Sequence, residues 1–197
     1  MSDSPDGTPL AAVRTVILAS ASPRRATLLR EAGSEFASMQ IMPSDADEGD
    51  DPLENARLKA ESIAVKNPRA IVIGADTVIR FGGETIGKPA DLDDARAILT
   101  KLSGRTHDVV TGVCVRCLEN DVLVRFEETT HVTFRVLTPE AIEKYIKAVN
   151  VLDKAGAYAI QEHGDDIIQG IDGSLTNVIG LPVERLTETI RYLLTLP

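Results

Sequence analysis

Residues 122–136 read VLVRFEETTHVTFRV, and their alternation decides the fold. One face carries Val122, Val124, Phe126, Glu128, Thr130, Val132, Phe134 and Val136; the other carries Leu123, Arg125, Glu127, Thr129, His131, Thr133 and Arg135. Successive side chains of a strand point to opposite faces, so this period of two predicts one unbroken strand, about 50 Å long if fully extended. Glu119-Asn120-Asp121 makes a turn before it, and residues 106–117 (THDVVTGVCVRC) form a second β-patterned run. The two predict a curved ribbon reaching across the molecule.

Outward from the ribbon, strands and helices alternate with short connections, which predicts an α/β fold. On the N-terminal side, residues 15–19 (TVILA) read as a first strand, and Ser22-Pro23 starts a helix with a capping hydroxyl and a proline in its first turn. Gly33 ends it. Asp51-Pro52-Leu53-Glu54 opens the next helix, whose apolar stripe is Ala56, Ala60, Ile63 and Ala64. Residues 70–74 (AIVIG) read as a buried strand that Gly74-Ala75-Asp76-Thr77 closes, and residues 78–81 and 84–86 as a hairpin about Gly82-Gly83. Asp91 caps a third helix that stops at Ser103-Gly104. On the C-terminal side, Thr138-Pro139 begins a helix through Ala148, and residues 181–196 read as a closing helix. Residues 1–12 are expected to be a disordered tail and 13–197 a single domain.

A net charge of −9 argues against an extended nucleic-acid surface, which needs a basic face, but not against a small phosphorylated ligand met by a few local cations. No apolar run is long enough to span a bilayer, and the polar, acidic start is no secretory signal, so no membrane association is expected. Cys114 and Cys117 lie three apart on a β run, pointing to opposite faces, and read as plain strand cysteines. With no export signal, reduced thiols fit a cytoplasmic protein. None of His107, His131 and His163 has zinc-ligand spacing with another.

Three segments carry chemistry. Ser20-Ala21-Ser22-Pro23-Arg24-Arg25 joins a strand to a helix start, where free N–H groups and the macrodipole favour an anion; the alternative is a capped helix with two solvated arginines. Asp76 puts a carboxylate after a wholly apolar strand, where burial is costly without a cation or hydrogen bonds; the alternative is a turn-capping aspartate. Gly87-Lys88-Pro89 pins a lysine between rigid residues, and neither G-x-x-x-x-G-K-[ST] nor G-x-G-x-x-G occurs. Asp45-Ala46-Asp47-Glu48 offers hard oxygen ligands of the kind Mg²⁺ or Mn²⁺ takes, or is a solvated acidic loop. Lys59 has the ordinary expectation of an exposed helix lysine and is kept as a candidate substrate contact.

The blocks ASASPRRATLLREAG, IGADTVI, IGKPADLDDARAILTKLSGRTHDVVTGV and LDKAGAYAIQEHG followed by IDGSLTNVIGLPVE cover most of residues 16–186. In content and order they resemble the signature blocks of the Maf-like (septum formation) proteins. The resemblance implies an elongated, curved mixed sheet with two lobes and a central cleft. It also implies metal-dependent hydrolysis of nucleoside triphosphates to monophosphate and pyrophosphate, with Mg²⁺ or Mn²⁺. Matched residue by residue, it makes Asp76 the proton acceptor, with Arg24, Thr77 and Lys88 at the substrate and Gln161 in the block that sets specificity; Ser20 and Arg25 stay candidate substrate contacts from the cradle reading. That block resembles the branch acting on dTTP and UTP rather than the 7-methyl-GTP branch. For the metal the resemblance offers Asp76, Asp47 and Glu48; which of the last two serves, and whether Asp76 is base or ligand, stays open. A homodimer stays open too. The rival reading is a non-catalytic nucleotide-binding regulator of septation, which would need the cations but not Asp76 with its metal ligands.

Overall fold

The computed structural model describes residues 15–33, 36, 38–46 and 49–195. The N-terminal tail, Asp47 and Glu48 lie outside them. The elements in order are β1 (Val16–Leu18), α1 (Pro23–Ala32), β2 (Gln40–Ile41), α2 (Pro52–Ala64), β3 (Ile71–Phe81), β4 (Glu84–Ile86) and α3 (Leu92–Leu102). Then follow β5 (Thr106–Cys117), β6 (Val122–Phe134), α4 (Pro139–Ala148), a 3-10 turn (Ala155–Ala157), α5 (Gly164–Ile167), β7 (Ile168–Asp172), α6 (Leu175–Ile179) and α7 (Val183–Thr195). The strands lie in the order β2-β1-β3-β5-β6-β7, with β4 also paired to β3. β1 runs parallel to β2 and β3, and the remaining pairs are antiparallel, so the sheet is mixed as expected. The ribbon is β5 and β6, paired without a slip from Thr106↔Thr133 to Cys117↔Val122.

The expected caps are present. The side chains of Ser22, Asp51, Asp91 and Thr138 each accept a backbone N–H of the first turn that follows. Residues 70–74 and 78–81, read above as separate strands, are parts of one continuous β3. The reading put a strand end at Asp76 and Thr77 because both are polar. The structure carries the strand straight through them, since each side chain finds partners on its own face of the sheet.

One face is covered by α2, whose alanines let it lie close; a Cβ on Gly74 would come within 2.1 Å of the Ala56 carbonyl oxygen. The other face holds two apolar clusters. Ile71, Ile73 and Ala75 of β3, Val113 and Val115 of β5 and Phe126 of β6 pack under α1 and α7. Further along the same strands Ile79, Val109, Val132 and Phe134 pack with α3, α4 and Tyr158. Between the clusters the inward positions turn polar: Thr77 opposite Thr111, Thr111 opposite Glu128, then Thr130. This polar belt divides the face into the two expected lobes.

Within the second cluster, His107 shares a 2.8 Å hydrogen bond through Nε2 with the Tyr158 hydroxyl and meets Phe134 and Tyr158 edge-on. Burial pushes its pKa down to about 4, against a smaller opposing pull from Asp108. The folded protein therefore holds His107 neutral while the unfolded chain binds a proton near pH 6.5. Stability from this site is complete above pH 6.5 and is lost as the pH falls toward 4, by roughly 2 kcal/mol at pH 5. Urea unfolding of the wild type and of His107→Gln at pH 7 and 5 checks this: the variant should lose that much less on acidification.

Cys114 and Cys117 are free and buried in β5, as read from the sequence. Burial pushes the Cys114 thiol up to about 12, which keeps it protonated and a poor metal ligand. Among the described residues no helix is long and apolar enough to cross a membrane.

Candidate active site

β3 has two edges. β5 occupies one from Val72 to Arg80. On the other, β1 pairs with Ile71–Ile73 and β4 with Ile79–Phe81, so neither covers residues 74–78. The edge is open where Asp76 and Thr77 sit. β1 ends at this break and hands over to Ser20 and the start of α1; β4 ends on the opposite bank and hands over to Gly87 and Lys88.

Asp76 points to the α2 face. Its Oδ1 accepts from Lys59 Nζ at 2.9 Å and its Oδ2 from Asn55 Nδ2 at 2.9 Å. Asn55 and Lys59 are one helical turn apart, so both reach the carboxylate from the same face of α2. A buried carboxylate costs several kcal/mol when unpaired, and these two donors offset that cost. Lys59 is thus not the exposed lysine its residue type predicts; it is buried and ion-paired. Asn55, 2 % exposed, also exchanges hydrogen bonds with Gly49, donating to its carbonyl at 2.8 Å and accepting from its N–H at 2.7 Å. The end of the acidic loop is fastened beside Asp76 by the residue that orients Asp76.

Thr77 points to the opposite face, onto the polar belt. Its hydroxyl lies 2.9 Å from Thr111 Oγ1 and accepts from Arg25 at 2.9 Å. Arg25 also donates to the Gly180 carbonyl (2.7 Å) and to Ser20 Oγ (3.3 Å), while the Ser22 N–H donates to Ser20 Oγ (3.2 Å). Sequence reading set Arg25 beside Arg24 as a phosphate cation, but its guanidinium is committed to tying α1, β3 and the loop after α6 together. Arg24 is half-buried like Arg25, and its charge is felt at Asp153. Burial raises the Asp153 carboxyl, but the Lys154 hydrogen bond and charge and the Arg24 charge outweigh it and hold the group below its ordinary value. Lys88 is exposed on the far bank, where the Gly87 carbonyl accepts from Gly156 N–H at 2.9 Å.

The apolar run AGAYAI before Gln161 reads by composition as a strand that would aim its side chain into the cleft, or else Gln161 is a surface residue before a turn; the structure has the turn. The run is no strand: Gly156 and Ala157 have positive φ (70° and 61°), and residues 160–163 form a turn in which 161–163 are exposed. A Cβ at Gly156 would lie 2.2 Å from Ile79 Cδ1, so only glycine lets this segment settle against β3. Its pin on Gly87 sets the turn on the same bank as Lys88. Asn55, Thr111 and the Gly180 carbonyl were not singled out from the sequence. The signal for Asn55 was present, as a polar residue beside alanines at a spacing of four from Lys59.

An open α/β sheet with a break in one edge, a buried carboxylate on the floor and cations on both banks defines an enzyme-like cleft for a small polyanion. More narrowly, the chain belongs to the family described as Maf-like protein, whose profile matches residues 15–193. Among its relatives, a dTTP/UTP pyrophosphatase of Akkermansia muciniphila is 43% identical over 186 residues, covering 90% of this chain and 96% of that protein. One of Pyrococcus furiosus bearing the same name is 41% identical over 179 residues, covering 87% and 91%. The structure of the Staphylococcus aureus Ham1 protein shares the fold, with a TM-score of 0.54 at 15% identity, covering 91% of this chain and all of that one.

Proposed function

We propose that this protein hydrolyses dTTP and UTP to the monophosphate and pyrophosphate in the cleft at the break between β1 and β4. The observation that carries the reading is Asp76, an oriented carboxylate on an open strand edge between Arg24 on one bank and Lys88 on the other. The names of the relatives supply the substrates. Nucleotide pools lie in the cytoplasm, which is where such an enzyme would act.

Attack on a phosphorus crowded with anionic oxygens needs positioning and charge stabilisation more than covalent help. Arg24 and Lys88 bind the polyphosphate from opposite sides and hold the α-phosphorus over Asp76. The N–H groups at the start of α1 add positive potential on the Arg24 side. Each oxygen of Asp76 keeps a lone pair beyond its α2 donor, so the carboxylate orients a water and takes its proton as the water attacks the α-phosphorus; pyrophosphate then leaves. Lys59 and Asn55 fix the direction of that lone pair. No three His, Cys, Asp or Glu side chains gather into a metal cluster among the described residues, but Mg²⁺ is characteristically held by one or two carboxylates together with substrate phosphates, and Asp76 would be such a carboxylate. Such a cation, Mg²⁺ or Mn²⁺, would neutralise phosphate charge and lower the pKa of a bound water. Asp47 and Glu48 are its further candidate ligands. Gln161 reads the base: its amide offers a donor and an acceptor to the carbonyl and ring N–H that uracil and thymine present side by side and cytosine does not.

The test is product analysis with labelled nucleotides. UTP and dTTP should give monophosphate and pyrophosphate, stop with EDTA and resume with Mg²⁺ or Mn²⁺. CTP and purine nucleotides should lag by about tenfold or more in kcat/KM. Inorganic phosphate as first product would mean attack at the γ-position and end this reading. Nucleotide binding without turnover would instead favour the regulator.

A further inference from the structure

The turn that carries Gln161 has no strand or helix to satisfy its backbone, and one side-chain oxygen does much of that work. Tyr145, on α4, is 2 % exposed and directs its hydroxyl into the turn. The hydroxyl accepts from Ala159 N–H at 3.1 Å and lies 3.3 Å from the Ala159 carbonyl and 3.2 Å from the Glu162 carbonyl, between which it shares its single proton. Residues 159 and 162 bracket Gln161, so one atom closes the turn from both sides. Burial raises the phenol to about 12, so it stays a donor throughout the working pH range. The flanks are fixed as well. Tyr158 is held by His107, and the buried Lys154 reaches the Asn150 carbonyl (2.5 Å), Asp153 (2.7 Å) and the Glu162 carboxylate (3.3 Å). Amid these anchors the Gln161 side chain is exposed and has no hydrogen-bond partner among the described residues.

We infer that Tyr145 is a specificity-determining positioning residue: its hydroxyl presets the turn so that the Gln161 amide is already aimed when the base arrives. The inference rests on Gln161 reading the base. Tyr145 touches no substrate and acts through the turn alone. A preset turn has no ordering entropy to lose on binding, so its effect falls on KM for the base that Gln161 recognises. Phosphate chemistry at Asp76, on the open edge of β3, is left as it was.

The experiment measures kcat and KM for UTP and CTP in the wild type, Tyr145→Phe, Gln161→Ala and the double variant. Tyr145→Phe removes one oxygen and keeps the ring in the core. It should raise KM for UTP about tenfold, leave kcat within twofold and barely alter CTP. The double variant should discriminate no worse than Gln161→Ala. A UTP:CTP ratio that survives Tyr145→Phe but falls in Gln161→Ala overturns the inference and leaves base reading by Gln161 standing. An equal fall in kcat/KM on both nucleotides overturns it too, as general damage. A ratio unchanged in Gln161→Ala removes the reading on which the inference rests. Hydrogen exchange of the wild type gives a second measurement that needs no variant: the Ala159 amide should be protected in the free protein, and free exchange there would refute the clamp.

Discussion

Asp76→Asn should lower kcat on UTP by about a thousandfold, within the range that loss of a positioned general base produces. Binding of a non-hydrolysable triphosphate analogue should change only a few-fold, because Arg24 and Lys88 are untouched. The substitution is not silent for the fold. Both Asp76 oxygens accept from donors on α2, so an amide must turn its NH₂ toward either Lys59 Nζ or Asn55 Nδ2. Asn55 cannot invert in response, since its carbonyl and amide are both engaged with Gly49. One donor is left facing another, at a cost of about 1–3 kcal/mol. For a chain of this length that lowers Tm by roughly 2–12 °C. Activity should be measured below the new Tm, with circular dichroism to confirm the fold. Turnover within a few-fold of wild type would remove Asp76 from the chemistry.

What was legible in the sequence followed from local rules. The alternation over residues 122–136 is realised as β6 from Val122 to Phe134, and Gly82-Gly83 makes the β3–β4 turn with positive φ at both glycines. The four helix starts depended only on a capping side chain and its next few residues. What was not legible depends on partners far along the chain. Asp76 and Thr77 look like a strand end until Lys59, Asn55, Arg25 and Thr111 are brought to them. Arg25 and Arg24 are indistinguishable as neighbours, and only the return of the chain at Gly180 ties Arg25 to β3 and the loop after α6. Gln161 followed an apolar run that fits a strand by composition. The fit fails at Gly156, whose positive φ serves a contact with Ile79 that no local pattern reveals. The residues whose local reading failed are concentrated at the cleft, where side chains are spent on each other and on a ligand rather than on the regularity of their own element.

Lys59→Met tests the same carboxylate from its other side. Methionine has nearly the length and flexibility of lysine and keeps the contact with the α2 alanine stripe, so the lost quantity is the ammonium. Among the described residues Asp76 then keeps the Asn55 hydrogen bond alone, with a side chain about 11% exposed. Breaking a buried ion pair by removing one partner costs about 3–5 kcal/mol, because the remaining charge is left uncompensated. Tm should fall by roughly 6–20 °C. The two changes should therefore be non-additive. With Asn at 76, removing the ammonium no longer strands a carboxylate, and the double variant should be about 1–3 kcal/mol more stable than the sum of the single losses predicts. Chemical denaturation of the four proteins measures this directly. Additivity within about 0.5 kcal/mol would mean that the ammonium does not hold Asp76 in the folded protein. Coupling of the expected size, with a fall in kcat in Lys59→Met while Asp76 is still present, would make Lys59 part of what orients the carboxylate rather than a contact to the substrate.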